Sequence, residues 1–108
     1  MKNKLAMIHE NAGEASDLLK VMAHKDRMVV LCLLSEGEMG VAELREHTQL
    51  SQSAFSQHLS VLRKNELVKV RKESQLVFYS LADERVNILL KAMQQAFCPT
   101  LLSDDQSE

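Results

Sequence analysis

At 108 residues, 45% of them apolar, the chain is the size of one domain with one real core. Only 4% are aromatic, so Leu, Val, Met and Ala must fill that core. The formal net charge of −2 does not announce a polyanion binder. No nucleophile motif, glycine-rich phosphate loop or clustered carboxylate pair argues for an enzyme.

At the N-terminus, Lys2 and Lys4 precede a short apolar run and then His9 and Glu10, which is not a secretory pattern. The strongest apolar run, Met28 to Leu34, is too short to cross a bilayer. The expectation is a cytoplasmic protein with no membrane partner. A first helix is predicted from about Ala12 to Met22, starting as early as Leu5. Ile8, Ala12, Ala15, Leu19 and Met22 share one face of it. A second helix is predicted from about Lys25 to Ser35, with Gly37 as its stop.

From Gly40 a short helix and a tight turn lead to the most informative segment, Leu50 to Lys64. Ser51 stands where an N-cap belongs. Phe55, Leu59 and Leu62 fall on one stripe and should face the core. The opposite face carries Ser53, Ser56, Gln57, Ser60 and Lys64. Serine is a mediocre helix former, so a merely solvated face would more naturally carry Glu and Lys. Small hydroxyls and amides let a helix approach a major groove, and Gln can pair bidentately with adenine. An ordinary amphipathic helix with a serine-rich surface is the bland alternative.

Leu67 to Arg71 then alternates apolar and basic residues, the period of a half-buried strand. A polar turn is expected at Lys72-Glu73-Ser74-Gln75, and a return strand at Leu76 to Leu81. Lys69, Arg71 and Lys72 can meet phosphates beside the groove, or simply protect a charged edge strand. Helix, turn, helix and basic hairpin in that order define a winged helix-turn-helix. The fold expected is mainly α with a small β-hairpin. Charge supports it: Ser51 to Ser80 has a balance of +3, and the rest of the chain −5. Gln57, Ser53 and Ser56 are expected at base edges. Ser51, Gln52, Arg63 and Lys64, with Arg71 and Lys72 on the wing, are expected to position the DNA backbone.

Asp83 is a plausible N-cap for a last helix reaching about Phe97, where Pro99 forbids continuation. Val86, Leu89, Leu90, Met93 and Phe97 form its apolar stripe. The terminal helices either cover the core of one chain or pack against a second copy. A single recognition helix rarely suffices, so the expectation is a homodimer on an inverted-repeat site in double-stranded DNA. Ile8, Ala12, Ala15, Leu19, Val86, Leu89, Leu90, Met93 and Phe97 are its expected dimerisation residues. Residues 1–98 are expected to form the domain and 99–108 a polar, acidic tail.

Cys32 lies within the second helix and Cys98 at the end of the last. A cytoplasmic setting argues against a permanent disulfide, and free cysteines often only pack. His9, His24, His47 and His58 are scattered, with no CxxC and no His pair at helical spacing. No metal site and no cofactor are expected from this pattern, the alternatives being a metal-responsive repressor with a site among the cysteines and histidines and a winged helix used for protein–protein contact.

Met22 to Leu31, Leu50 to Leu59 with Leu62-Arg63, and Val70 to Leu81 together resemble the ArsR/SmtB family of bacterial repressors. The resemblance runs from about residue 12 to 98 and is most specific at the recognition helix. It is greatest to the HlyU branch, related to the BigR, SqrR and YgaV regulators, whose two cysteines match the places of Cys32 and Cys98. That resemblance implies a dithiol switch: oxidants or reactive sulfur species link the pair, and DNA affinity falls. It also implies a link to haemolysin or toxin genes and competition with nucleoid-silencing proteins. Metal-sensing relatives place cysteines around the first helix of the DNA-reading unit, or Asp and His pairs along the last helix. Val41 to Thr48 has no cysteine and the last helix no histidine, so neither family site is expected here.

Overall fold

A serine hydroxyl and a positive-φ glutamate bracket the central helix. In the computed structural model, which describes residues 2–98, that helix is α4, Gln52–Lys64. Ser51 caps it, its Oγ accepting from the Ala54 N–H at 3.2 Å. At the other end the Leu67 N–H reaches the Leu62 carbonyl at 2.9 Å and the Glu66 N–H reaches Arg63 at 3.0 Å. That is a Schellman close, with Glu66 at φ 63° in the place glycine usually takes.

Before it run α1 (Lys2–Met22), α2 (Lys25–Leu34), β1 (Met39–Gly40) and α3 (Val41–Thr48). After it come β2 (Val68–Glu73), β3 (Leu76–Leu81) and α5 (Glu84–Phe97). α1 begins ten residues earlier than Ala12, at Lys2. Its exposed N-terminal part packs little, so nothing in the core fixes where it starts. α2 ends at Leu34, and the chain turns at Gly37, whose φ of 138° suits glycine alone. α3 closes with Gln49 at φ 61°, and the three residues Gln49 to Ser51 make the turn into α4.

The expected hairpin is one part of a three-stranded antiparallel sheet of order β1-β3-β2. β1 is only two residues, pairing Met39 with Tyr79 and Gly40 with Phe78. No periodicity can be seen in two residues, so the sequence pattern does not show it. The hairpin turn is also tighter than expected. Lys72 and Glu73 stay in β2, opposite Val77 and Leu76, leaving Ser74 and Gln75 as the loop. Ser74 takes φ 56°, the positive value such two-residue loops demand.

The core is aliphatic, as composition requires. Val30, Leu31, Leu44, Leu62, Leu67, Val86 and Leu90 are fully buried, with Phe55 and Leu59 packed among them. Each such side chain contributes about 1.5–3 kcal/mol of transfer free energy. Phe55, Leu59 and Leu62 thus seat α4 on α2, α3 and the sheet, leaving its polar face outward. The predicted tail, residues 99–108, lies outside the described residues.

Candidate nucleic-acid interface

Every outward residue expected on α4 is exposed: Gln52, Ser53, Ser56, Gln57, Ser60, Arg63 and Lys64. Ser51 is exposed as well, but its hydroxyl oxygen is committed to the cap. Beside the helix, Gln52, Ser56, Ser60 and Arg63 share a groove of about 210 Å³ with Val41 and Tyr79 of β3. The helix and the sheet therefore meet along a groove of mixed character, its floor including Phe55 and Leu59.

The adjacent wing cations Arg71 and Lys72 separate. Cross-strand partners lie on one face of a sheet, and faces alternate along a strand. Val68, Val70 and Lys72 therefore share a face with Leu81, Tyr79 and Val77. This is the face that carries Tyr79 toward α4, so Lys72 lies on the α4 side of the wing. Arg71 is on the reverse face with Phe78, its guanidinium 4.5 Å from the ring centroid.

Arg71 is also occupied. It donates to both Glu38 carboxylate oxygens, at 2.8 and 3.0 Å, in a bidentate pair, and lies 3.6 Å from Glu73. The hydrogen bond from Arg71 holds the Glu38 carboxyl below its ordinary value, opposed by desolvation and helped by the charges of Arg71 and Lys69. The same bond raises the Arg71 guanidinium. Arg71, expected at a phosphate, here stands in an exposed ion pair with Glu38. Glu38 lies 33 residues upstream, and nothing in the local pattern signals the pair.

The terminal helices form a second surface. Leu5, Met7, Ile8 and Leu19 of α1 and Ile88 and Phe97 of α5 are exposed, Ile88 at 61% and Phe97 at 78%. A groove of about 390 Å³ runs between α1 and α5, lined by Asn11, Glu14, Ala15, Leu18, Leu19, Arg85, Ile88 and Leu89. Arg85 closes one side, donating to Glu14 at 3.0 Å and Asp83 at 2.7 Å. The Arg85 hydrogen bond lowers the Asp83 carboxyl, and Asp83 in turn raises Arg85. Ala12 and Ala15 are exposed; Leu89 and Met93 are half-buried. Val86 and Leu90 do not belong to this surface. Both are fully buried against the protomer's own core, because one flank of α5's apolar stripe seals that core. Ile88, which the stripe omitted, is exposed on α5 together with Phe97.

Both cysteines are free thiols. Cys32 is half-buried against the core, and its carbonyl accepts from the Ser35 hydroxyl at 2.6 Å. Cys98 is exposed at the end of α5.

The histidines are less scattered than the sequence suggests. His24 is the N-cap of α2, its Nδ1 accepting from the Asp26 N–H at 3.2 Å. His58, on the flank of α4, brings its ring to 4.4 Å from that of His24, centroid to centroid. Its Nε2 lies 3.8 Å from Asp26 Oδ2. Burial pushes the His58 imidazole below its ordinary value, helped by His24 and Arg27 and opposed by Asp26. His24, Asp26 and His58 are the one such donor cluster among the described residues, and neither cysteine belongs to it.

A Ser-capped, polar-faced helix on a three-helix core, followed by a basic wing, defines a winged helix-turn-helix DNA-binding module. The family described as "Bacterial regulatory protein, arsR family" matches residues 24–70. The chain is 42% identical over 94 residues to the transcriptional activator HlyU of Vibrio cholerae, covering 87% of each. It is 38% identical to the HTH-type transcriptional regulator YgaV of Escherichia coli, covering 89% of this chain and 98% of that one. A crystal structure of HlyU from Vibrio vulnificus superposes with a TM-score of 0.81 at 43% identity, covering 88% of this chain and 99% of that one. The repressor BigR of Xylella fastidiosa gives a TM-score of 0.82 at 33% identity, covering 86% and 95%. This chain belongs to the arsR family of bacterial transcriptional regulators. It is a DNA-binding regulator and not an enzyme. No helix among the described residues is long and apolar enough to cross a membrane.

Proposed function

We propose that the protein is a homodimeric regulator that reads an inverted repeat through α4 and lowers its DNA affinity when Cys32 and Cys98 are oxidised. The observation that carries the DNA-reading part is the two-faced α4. Phe55, Leu59 and Leu62 anchor it, and Ser53, Ser56 and Gln57 project outward with no carboxylate among them. Gln57 reads a base edge; Gln52, Arg63, Lys64 and Lys72 hold phosphates. The N-terminus of α4 adds backbone N–H groups for one phosphate.

The exposed apolar residues of α1 and α5 support dimerisation, since a small domain has little reason to leave Ile88 and Phe97 in water. A twofold axis through that surface gives two recognition helices for two half-sites. A regulator of this kind works in the cytoplasm, on the nucleoid. The relatives' names include an activator and repressors, so the module serves either sign of control. Release of a silenced promoter by competition with nucleoid proteins fits the activator's place among them.

For the switch, exposure makes Cys98 the attacking thiolate. It attacks a polysulfide sulfur, forming a persulfide and releasing a polysulfide one sulfur shorter. The Cys32 thiolate then attacks the Cys98 Sγ, forming the disulfide and releasing hydrosulfide. Two thiols are oxidised and the polysulfide is reduced. The link draws the end of α5 toward α2, the helix on which α4 rests. Coupling of this kind is worth about 1–3 kcal/mol, or roughly 5–150-fold in affinity.

Titration of promoter DNA before and after polysulfide, and again after dithiothreitol, tests the switch. Wild type should weaken and recover, while Cys32→Ser binds DNA and ignores polysulfide. An equal response from Cys32→Ser would exclude the dithiol mechanism.

A further inference from the structure

We propose that His24, Asp26 and His58 form a binding site for a divalent transition-metal ion of the zinc class, clamping the recognition helix to the start of α2. One donor atom from each residue lies within 4.8 Å of the others. They come from two elements: His24 and Asp26 from the first turn of α2 and its cap, and His58 from the inner flank of α4. Two imidazoles and a carboxylate match the borderline character of zinc and its neighbours, whereas calcium or magnesium would demand oxygen ligands. His24 is exposed, so a fourth position stays open to water.

The place differs from the two metal sites that the resemblance describes. One of those lies in the first helix of the DNA-reading unit and the other along the last helix; this cluster includes no residue of α3 or α5.

Loading has a structural cost, which makes the site testable. A neutral imidazole has one free lone pair on its ring nitrogens. In His24 that lone pair is on Nδ1, where it accepts the long 3.2 Å bond from the Asp26 N–H. A metal ion takes that lone pair and releases the cap. The Arg27 guanidinium also lies nearby, donating to the Val21 carbonyl at 3.0 Å, and its charge opposes the ion. The Asp26 carboxylate offsets that charge. The site is therefore weaker than a closed four-ligand structural site, and it exchanges its ion.

His58 directly follows Gln57, so an ion here fixes the angle at which the base-reading face is presented.

The test is zinc alone, titrated into the reduced full chain against a chromophoric chelator, with thermal unfolding alongside. Wild type should bind about one zinc per chain and melt higher with zinc. Asn is a good N-cap without the imidazole, so His24→Asn keeps α2 capped while removing the ligand and its ring contact with His58. His24→Asn and His58→Gln should each lose affinity by at least the roughly 10–100-fold that even outer-shell changes cause. The Cys32→Ser/Cys98→Ser double variant should bind as wild type does. Absence of binding by wild type, retained affinity in the folded His24→Asn variant, or loss of zinc in the cysteine variant would each overturn the assignment. None of these results bears on the thiol switch, which has its own test.

Discussion

The sharpest consequence of the wing geometry is that Lys72 and Arg71, adjacent in sequence, contribute unequally to DNA binding. Lys72 is exposed and shares the face that leads to α4. Arg71 is on the other face, 2.8 Å from Glu38 and 3.6 Å from Glu73. Each phosphate neutralised contributes about −0.9 to the slope of log K against log salt. A twofold dimer has two wings, so Lys72→Ala should reduce the slope by about 1.8. Between about 50 and about 200 mM salt, that is roughly 12-fold less loss of affinity than wild type shows. Arg71→Ala removes a charge that Glu38 already balances, so its slope should stay close to wild type. Glu38→Gln removes that partner but leaves Arg71 on the reverse face beside Phe78, so it too should leave the slope close to wild type. The assay is fluorescence anisotropy of a labelled random duplex at several salt concentrations. Equal slope changes in Lys72→Ala and Arg71→Ala, or a larger one in Arg71→Ala, would refute the assignment of faces.

Other outcomes follow from the same contacts. Gln57→Ala should lose about 1–3 kcal/mol of discrimination at one base position and little affinity for random DNA, measured on single-base variants of the site. Ser51→Ala removes the α4 cap and should destabilise the fold by about 1 kcal/mol in urea unfolding. Ile88→Glu sets a charge in the exposed apolar surface of α5 and should give a folded monomer in sedimentation; a persisting dimer would place the interface elsewhere. Acid should loosen the wing. The folded Glu38 carboxyl is depressed, so its contribution is present above the ordinary value of about 4.3 and fades as pH falls through the lower folded value. Glu38→Gln should flatten that acid limb of the stability profile, and an unchanged limb would assign it to other carboxylates.

What the sequence revealed was local, and what it concealed was distant. The α4 stripe, the Ser51 cap and the Asp83 cap are short-range signals, and the structure places all three as expected. β1 escaped because two residues carry no period. Val86 and Leu90 share a helical stripe with Met93, yet periodicity alone cannot say which flank meets the protomer's own core and which meets solvent. The Glu38–Arg71 pair spans 33 residues, and His24 and His58 meet only because α2 supports α4. Such pairs follow from tertiary packing, and no spacing rule announces them. The paired alternation of β2 was visible, but which face turned toward α4 was not, so Arg71 and Lys72 looked equivalent.

The central claim is that α4 reads sequence. The most direct measurement compares the Kd of the reduced protein for an inverted repeat from its own promoter with its Kd for a scrambled duplex at the same salt. A ratio of about 10³ or more is predicted, falling by roughly 5–150-fold in Gln57→Ala. Equal affinities for the two duplexes, or no binding to either, would contradict the account.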